Sequence, residues 1–424
     1  MKSKLSIILF FIALSCNISF AQETFKAMFY NLLNFPLQEP AASRLNELET
    51  VLSHYQPDLF MVCELNNVSG ATTILNMMKQ SINVNYEMAN FVLNTSDDTI
   101  SDQNDLQNLI YYDSSKFNLE SQTEVTTIYR DFNHYILKLN TVNQVTNPIL
   151  LNVIVGHLKA SSGTDNQALR FQMAQDLTTY LNTFSSSEYV LFGGDFNFYT
   201  SSEAGFQEFL NTNNNITFID PANRIGSWHN NTSYVDVFTQ STRTTTSLGG
   251  AAGGFDDRFD FILTSDNMQN NPELQFENGS YKVFGNNANI NCYNSAINST
   301  DCDGTDYSFA IRNALHNFSD HLPVTINITT TESLLNVNEF IESEITFKIL
   351  GTNIVNNQLK IKANRKPTFS NYVSISNTIG QTIDVISIKD NEELIINTSS
   401  YSNGMYYVVL NGVNVKPLKF VKVN

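Results

Sequence analysis

The 424-residue chain is 42% hydrophobic, 12% aromatic and 15% charged, with a formal net charge of −17 and a sequence pI near 4.7. It is long enough for two or three domains and, with 30 Phe and 18 Tyr, too apolar for a disordered chain. Its acidity argues against a polybasic arm or a strongly basic groove that tracks a nucleic-acid backbone, and four cysteines are too few for a disulfide-dense scaffold.

At the N-terminus, Lys2 and Lys4 precede a nearly all-apolar run from Leu5 to Leu14, and Ser19-Phe20-Ala21 ends in a small residue. That is the layout of a secretory signal cut after Ala21. The run is shorter than the roughly 20 residues that span a bilayer, no later stretch is longer, and no stable membrane insertion is expected. Cys16, in Ala13-Leu14-Ser15-Cys16, fits a lipoprotein signal imperfectly because Leu sits one place late. In an oxidising compartment Cys292 and Cys302, which flank an Asn- and Asp-rich loop, can pair, whereas Cys63 reads as a small buried hydrophobe.

The spacing then predicts a strand over Phe25–Tyr30, a helix from Ser43 to His54 and a buried strand over Leu59–Cys63. Further strands follow at Leu109–Tyr112, Tyr135–Leu139 and Ile149–Val155, and a helix spans Gln167–Phe184. Tyr189–Phe192, Phe259–Leu263 and Val324–Ile328 complete the strands. Mixed strands and helices without an internal repeat imply a layered α/β domain containing two sheets.

The strand ends carry the chemistry. Asn31 and Asn34 close the first strand, Glu64 the second and His157 a later one; Asp195 and Asn197 follow Leu191-Phe-Gly-Gly194, Asp260 lies in Asp256-Asp-Arg-Phe-Asp-Phe-Ile-Leu263, and Asp320-His321 precede the last. Each apolar strand thus delivers Asp, Glu, Asn or His to one rim. Glu64, Asp320 and the amide oxygen of Asn31 suit Mg²⁺, Mn²⁺ or Ca²⁺, which prefer oxygen ligands, while the scarcity of Cys and of closely spaced His pairs argues against structural zinc. A histidine held by a carboxylate can move a proton near neutral pH, and a metal that polarises a phosphoryl oxygen would complete a phosphoester hydrolase.

The ordered set Tyr30-Asn31, Cys63-Glu64, Gly156-His157-Leu158, Gly194-Asp195-Phe196-Asn197, Arg258-Phe259-Asp260-Phe261-Ile262 and Ser319-Asp320-His321 resembles the endonuclease/exonuclease/phosphatase superfamily over about residues 24–328. The resemblance implies a four-layer α/β sandwich of two face-to-face β-sheets flanked by helices. It also implies that Asn31, Glu64 and Asp320 bind or orient the metal, and that His321 activates water with Asp260 orienting it. His157 would contact the scissile phosphate or protonate the leaving group, and Asp195 and Asn197 would hold phosphate and water. Some family nucleases pair that histidine with a carboxylate beside the strand matching Leu109–Tyr112; here Asp105-Leu-Gln-Asn108 stands there.

Other features read as structural. Lys159 and Arg170 fit surface charges, and Arg243 fits either a phosphate grip or a loop contact. Asp256 and Asp257 read as a loop pair, and His54, His134, His229 and His316 have no motif around them. Asp301-Cys-Asp-Gly-Thr-Asp306 reads as an acidic loop rather than a Ca²⁺ site, and the Gly249–Gly254 run as a flexible approach to the next strand.

After about residue 330 the composition changes: residues 22–330 carry a net charge of −20, and the remainder is near neutral. Period-two runs at Gln358–Ala363, Tyr372–Ser376, Ile383–Ile388, Leu394–Ile396, Met405–Leu410 and Leu418–Val423, separated by turn residues, predict a small all-β sandwich. Asn377–Thr382, Ser402–Tyr407 and the closing Lys419–Lys422, in that order at the terminus, resemble the type A C-terminal sorting domain of type IX secretion. The expected domains are a signal at 1–21, a catalytic domain at 22–330, a linker at 331–344 and a sorting domain at 345–424. The expectation is a secreted, monomeric, Mg²⁺-dependent (or Mn²⁺- or Ca²⁺-dependent) phosphodiester hydrolase, exported by the type IX machinery, with nucleic acid as substrate. A phospholipid or small-phosphoester hydrolase, and a non-catalytic binding protein, are the alternatives.

Overall fold

A computed structural model describes residues 22–96, 106–335, 347–363, 372–387, 393–410 and 417–424. The signal segment, Asp105 and residues 336–344 of the expected linker lie outside them. The chain divides into two compact units, Met1–Leu335 and Asn336–Asn424.

The first unit holds two sheets. One comprises β1 (Glu23–Phe35), β2 (Leu59–Leu65), β3 (Tyr86–Met88), β4 (Gln107–Asp113), β11 (Gln275–Phe276), β12 (Lys282–Val283) and β13 (Val324–Thr330), in the order β11-β13-β1-β2-β4-β3 with β12 also on β13. The other is β5-β6-β7-β8-β10-β9, formed by Phe117–Val125, Phe132–Leu139, Leu150–His157, Tyr189–Asp195, Asp260–Ser265 and Phe218–Ile219 respectively. Helices α1 (Ala41–Tyr55), α2 (Val68–Ser81) and α5 (Phe309–Phe318) share one core with the first sheet, and α3 (Thr164–Leu181) and α4 (Ala204–Phe209) pack on the second.

Strand alternation builds these layers. On β7, Val153 and Val155 enter the core between the sheets, while Ile154 joins Met173, Leu177 and Leu181 of α3. On β8, Leu191 faces inward and Val190 and Phe192 face the helices; on β10, Ile262 faces inward and Phe261 and Leu263 outward. A period of two lets one strand serve two cores, which yields the expected four-layer sandwich. Burying these strands on both faces explains why they read as continuous apolar runs.

The inward parity also places the polar ends. His157 and Asp195 are register partners on parallel β7 and β8, and Asp195 is in turn opposite Asp260 on antiparallel β10. On the facing sheet, Asn31 is the register partner of Cys63. Residues of both sheets therefore reach one rim. The unit extends past the expected end at 330, because Val142 N–H donates to Ser333 O, Leu335 N–H donates to Asn140 O, and Leu334 bridges Thr141.

The second unit is all-β. A three-stranded sheet is formed by β14 (Phe347–Ile349), β16 (Gln358–Ala363) and β19 (Glu393–Asn397). A five-stranded sheet runs β15-β21-β20-β17-β18, from Ile354–Val355, Leu418–Lys422, Gly404–Leu410, Tyr372–Asn377 and Thr382–Ser387. Leu359, Ile361 and Ile396 from the first share a core with Ile375, Val408 and Phe420 from the second, so the two sheets form a sandwich.

Close strand packing makes Gly194 a sensitive position. A β-carbon there would lie 2.5 Å from the Gly156 carbonyl oxygen and 2.4 Å from the Phe196 ring. Gly194→Ala is expected to destabilise the protein by about 1–3 kcal/mol, as overpacking does, and thermal unfolding followed by circular dichroism measures it.

Candidate active site

Asn31 sits at the centre of the rim and is fully buried. Its Nδ2 donates to Glu64 Oε1 and to Asp195 Oδ2, each at 3.0 Å, while its Oδ1 accepts Leu33 N–H at 2.9 Å. The amide therefore turns its donor side to the acids. In this arrangement Asn31 ties Glu64 to Asp195.

Strict alternation would send Glu64 to the face opposite Cys63. Instead its φ of 56° turns the side chain into the rim, at a register break between Val62 and Leu65, and Oε2 accepts Asn34 N–H at 3.0 Å. Leu33, Asn34 and Asn197 are likewise left-handed, at φ 46°, 49° and 56°. Such backbone costs about 1–3 kcal/mol per residue and clusters at functional sites.

Across the rim, His157 Nε2 lies 3.6 Å from Asp195 Oδ2 and 4.0 Å from Glu64 Oε1. His321 Nδ1 is 2.7 Å from Asp260 Oδ2, and its Nε2 is 3.7 Å from Asp195 Oδ2. Two groups thus form, Glu64–His157–Asp195 and Asp195–Asp260–His321, and Asp195 belongs to both. Asp320 is in neither: its Oδ2 accepts Ala251 N–H at 2.6 Å and Gln240 Nε2 at 3.3 Å. Asn197 donates from Nδ2 to Leu158 O at 3.3 Å.

The electrostatics reflect acids short of positive charge. Burial, reinforced by Asp320, pushes the Glu64 carboxyl up. Burial does the same to Asp195, and its neighbours Asp260 and Glu64 add to the effect. His157 is held well below the ordinary imidazole range, first by burial and then by Arg130, His321 and Lys159. Burial also lowers His321, but Asp260, Asp195 and Asp320 outweigh it and raise that imidazole well above its usual value. Gln240 Nε2, fixed as a donor by Asp320, lies 2.5 Å from His321 Nε2. His321 Nδ1 is thus held by Asp260, while Nε2 faces Gln240 and Asp195.

The donor chemistry fits a hard divalent cation. Asp195 Oδ1 and Asp320 Oδ1 are buried and have no hydrogen-bond partner, as is Asp260 Oδ1. Unpaired buried carboxylate oxygens are costly unless a cation or ordered water meets them.

Several supporting residues carried no recognisable signal. Ser319 Oγ donates to Asn31 O at 2.8 Å and accepts His321 N–H at 3.1 Å, tying the Asp320-His321 turn to β1. Gln240 touches both Asp320 and His321 from a stretch with no motif. The Gly249–Gly254 run is more than an approach to a strand: at Gly250, φ 70°, a β-carbon would fall 2.5 Å from Asp320 Cγ, so only glycine lets this loop cover the acid. Arg243 proves to be a loop clamp. It is buried and donates to the carbonyls of His316, Leu248, Gly249 and Asn317.

Arg170, read as a surface charge, is fully buried in an ion pair with Glu203 at 2.7 Å. Asp256 and Asp257 form a further acid–imidazole group with His229, whose Nδ1 is 2.6 Å from Asp257 Oδ1. Cys292 and Cys302 are joined in a disulfide and Cys63 is a buried free thiol. In the acidic loop the carboxylates go to separate partners, Asp301 to Ser295 and Ser299, and Asp303 to Arg312. Nothing there assembles into an ion cage among the described residues.

Residues 353–423 match the family model described as the secretion system C-terminal sorting domain. The chain therefore carries a type IX export signal, which directs it to the cell surface or beyond. Among the described residues, no helix is long and apolar enough to cross a membrane. No curated protein matches the chain.

Solved structures similar to it include D. rerio TDP2 humanized by 14 mutations, at 15% identity over 72% of this chain and 99% of that one, with a TM-score of 0.46. The human Nocturnin catalytic domain with bound sulfate anion is 14% identical over 73% and 97%, with a TM-score of 0.44. An endonuclease/exonuclease/phosphatase from Beutenbergia cavernae DSM 12333 is 10% identical over 94% and 99%, with a TM-score of 0.42.

Removing the Arg243 clamp should loosen the cover over Asp320. Arg243→Met is expected to accelerate amide hydrogen exchange across residues 244–254 while α3 keeps its protection. The cost should be at least about 2 kcal/mol, since several buried carbonyls lose their donor.

Proposed function

We propose that this chain is an exported, divalent-metal-dependent phosphodiester hydrolase that cleaves nucleic acid. One arrangement carries the reading: the His321–Asp260 pair opens onto buried carboxylates whose oxygens lack partners. Glu64 with Asp195 or Asp320 would hold Mg²⁺ or a similar ion, and such an ion polarises a phosphoryl oxygen and neutralises charge in the transition state.

The remaining work falls to the chain itself. Asp260 accepts a hydrogen bond from Nδ1–H of His321 and orients the ring, the arrangement in which Nε2 would serve as the base toward an attacking water. His157, kept neutral by burial and by Arg130, suits a hydrogen bond to a phosphoryl oxygen better than a stored proton for the leaving group. Asn31 keeps Glu64 and Asp195 in place, and the left-handed backbone at Asn197 turns its side chain back to Leu158 O beside His157. Positioned groups of this kind lower the barrier mainly by orientation and electrostatics.

Supercoiled plasmid incubated with Mg²⁺ should be nicked, and chelator should stop the reaction. Intact plasmid alongside hydrolysis of a choline phospholipid would move the substrate to lipids, and failure on every phosphoester would end the enzymatic reading. His321→Ala is expected to lower kcat by about 10²–10⁴, the usual worth of a general base, with unfolding unchanged enough to show a folded protein. Mn²⁺ should raise the melting temperature of the parent chain, and Glu64→Gln should abolish most of that rise; a shift that persists in the variant would place the ion elsewhere.

A further inference from the structure

We propose that His229, Asp256 and Asp257 form a second cation site, separate from the rim, that takes a borderline divalent transition ion of the Zn²⁺ or Co²⁺ kind. The site stands whether or not the rim hydrolyses phosphoesters.

One ligand atom from each of the three residues lies within 4.8 Å of the other two, and His229 Nδ1 is 2.6 Å from Asp257 Oδ1. Ligand atoms about 2.1 Å from a shared ion stand roughly 3–4 Å apart, so small side-chain rotations close the group. The backbone beneath it is fixed. Trp228, which precedes His229, and Arg258, which follows Asp257, are both fully buried, with Arg258 Cζ 5.4 Å from the Trp228 ring centroid. Asn230 N–H donates to Asp256 O at 3.1 Å, which joins the two segments directly. The imidazole is also held from behind. Its Nε2 lies 2.6 Å from Asn230 Nδ2, the Tyr293 hydroxyl donates to Asn230 Oδ1 at 3.1 Å, and the Tyr199 ring meets it edge-on at 5.1 Å. That leaves the Nδ1 edge to the acids.

The group is short of positive charge. The charged side chains that bear on the two acids are His229 and, for Asp257, Asp256. Among the described residues the Asp256 carboxylate accepts no hydrogen bond. Burial raises both carboxyls, that of Asp257 to about 6. One imidazole with two carboxylates selects the ion, since Mg²⁺ and Ca²⁺ prefer oxygen alone whereas imidazole suits Zn²⁺ and its neighbours. The His229 side chain is 44% exposed, so the set leaves positions open to water and describes an exchangeable site rather than a closed structural cage. The same segment reaches the rim through its main chain. Asp257 N–H donates to Gln240 O at 2.9 Å and Gln240 N–H donates to Asp257 O at 3.0 Å, while the Gln240 side chain touches Asp320 and His321.

The test is calorimetric titration of Zn²⁺ into the full chain carrying Glu64→Gln, which weakens the rim as a competitor. A Zn²⁺ ion should bind, and adding His229→Ala or Asp257→Asn should weaken its binding at least about tenfold, the least that loss of even an indirect partner costs a metal site. His157→Ala in the same background should leave the affinity unchanged. Hydrogen exchange should show Zn²⁺ slowing amides in peptides that cover 228–231 and 254–258, and His229→Ala should abolish that protection. Asp256→Asn serves as a second variant should the His229 change unsettle its loop, which melting in chelator would reveal. Zn²⁺ affinity indifferent to His229, Asp256 and Asp257, or protection confined to peptides that carry Glu64 and Asp195, would overturn the site and leave an ordinary surface ion pair.

Discussion

One carboxamide joins the two sheets where their acids meet. Asn31 belongs to the first sheet, and its Nδ2 donates both to Glu64 of that sheet and to Asp195 of the other. Each carboxylate is raised by burial, and Glu64 adds to the effect on Asp195, so bringing them together costs desolvation and repulsion at once. A neutral donor shared between them offsets part of that cost without cancelling the negative potential. A lysine in the same place would satisfy the acids and close the site to a cation. The amide keeps the acids in position while leaving Asp195 Oδ1 unpaired.

The rest of the rim follows from that tie. Inward parity on β7, β8 and β10 brings His157, Asp195 and Asp260 to the inter-sheet face with no special device. The first sheet cannot do the same for Glu64, because Cys63 already occupies the inward position. The left-handed turn at Glu64 solves this by breaking the alternation, and the backbone N–H of Asn34, itself left-handed, holds the carboxylate there. Strain in the backbone is thus exchanged for a charge placed where regular strand geometry would not put it.

This exchange also explains what could be read in advance. Continuous apolar runs such as Leu59–Cys63 and Tyr189–Phe192 announce buried strands, and the polar residue that ends each one is visible in one dimension. The layers are legible for the same reason, since period two in β7 and β8 implies two cores. Short segments were lost: β3, β9, β11 and β12 hold two or three residues each, too few for a period, and the edge strand β5 exposes most of its length. Helices α2 and α5 do carry apolar residues at helical spacing, Ala71, Ile74 and Met78 in one and Ile311, Ala314, Leu315 and Phe318 in the other, a signal that was open to sequence reasoning. Within the site, what escaped was the orientation of an amide, the reach of Gln240 and the cover formed by Gly250. Each depends on a contact between segments distant in sequence, and no local pattern encodes it.

The burial of arginine shapes the acidic surface of the first unit. Six of the seven arginines between residues 22 and 335 are buried, with Arg224 the exception. Most spend their donors on main-chain carbonyls or on an internal acid, as Arg44 does on Phe318 and Leu32 and Arg258 does on Asp220. Internal guanidinium groups act as struts for irregular loops, since five donors in a rigid fork can satisfy carbonyls that no strand or helix reaches. Their charge is then screened from the exterior by the acids around them, and the net charge of the unit describes its surface more than its site. An exported protein gains solubility from that surface.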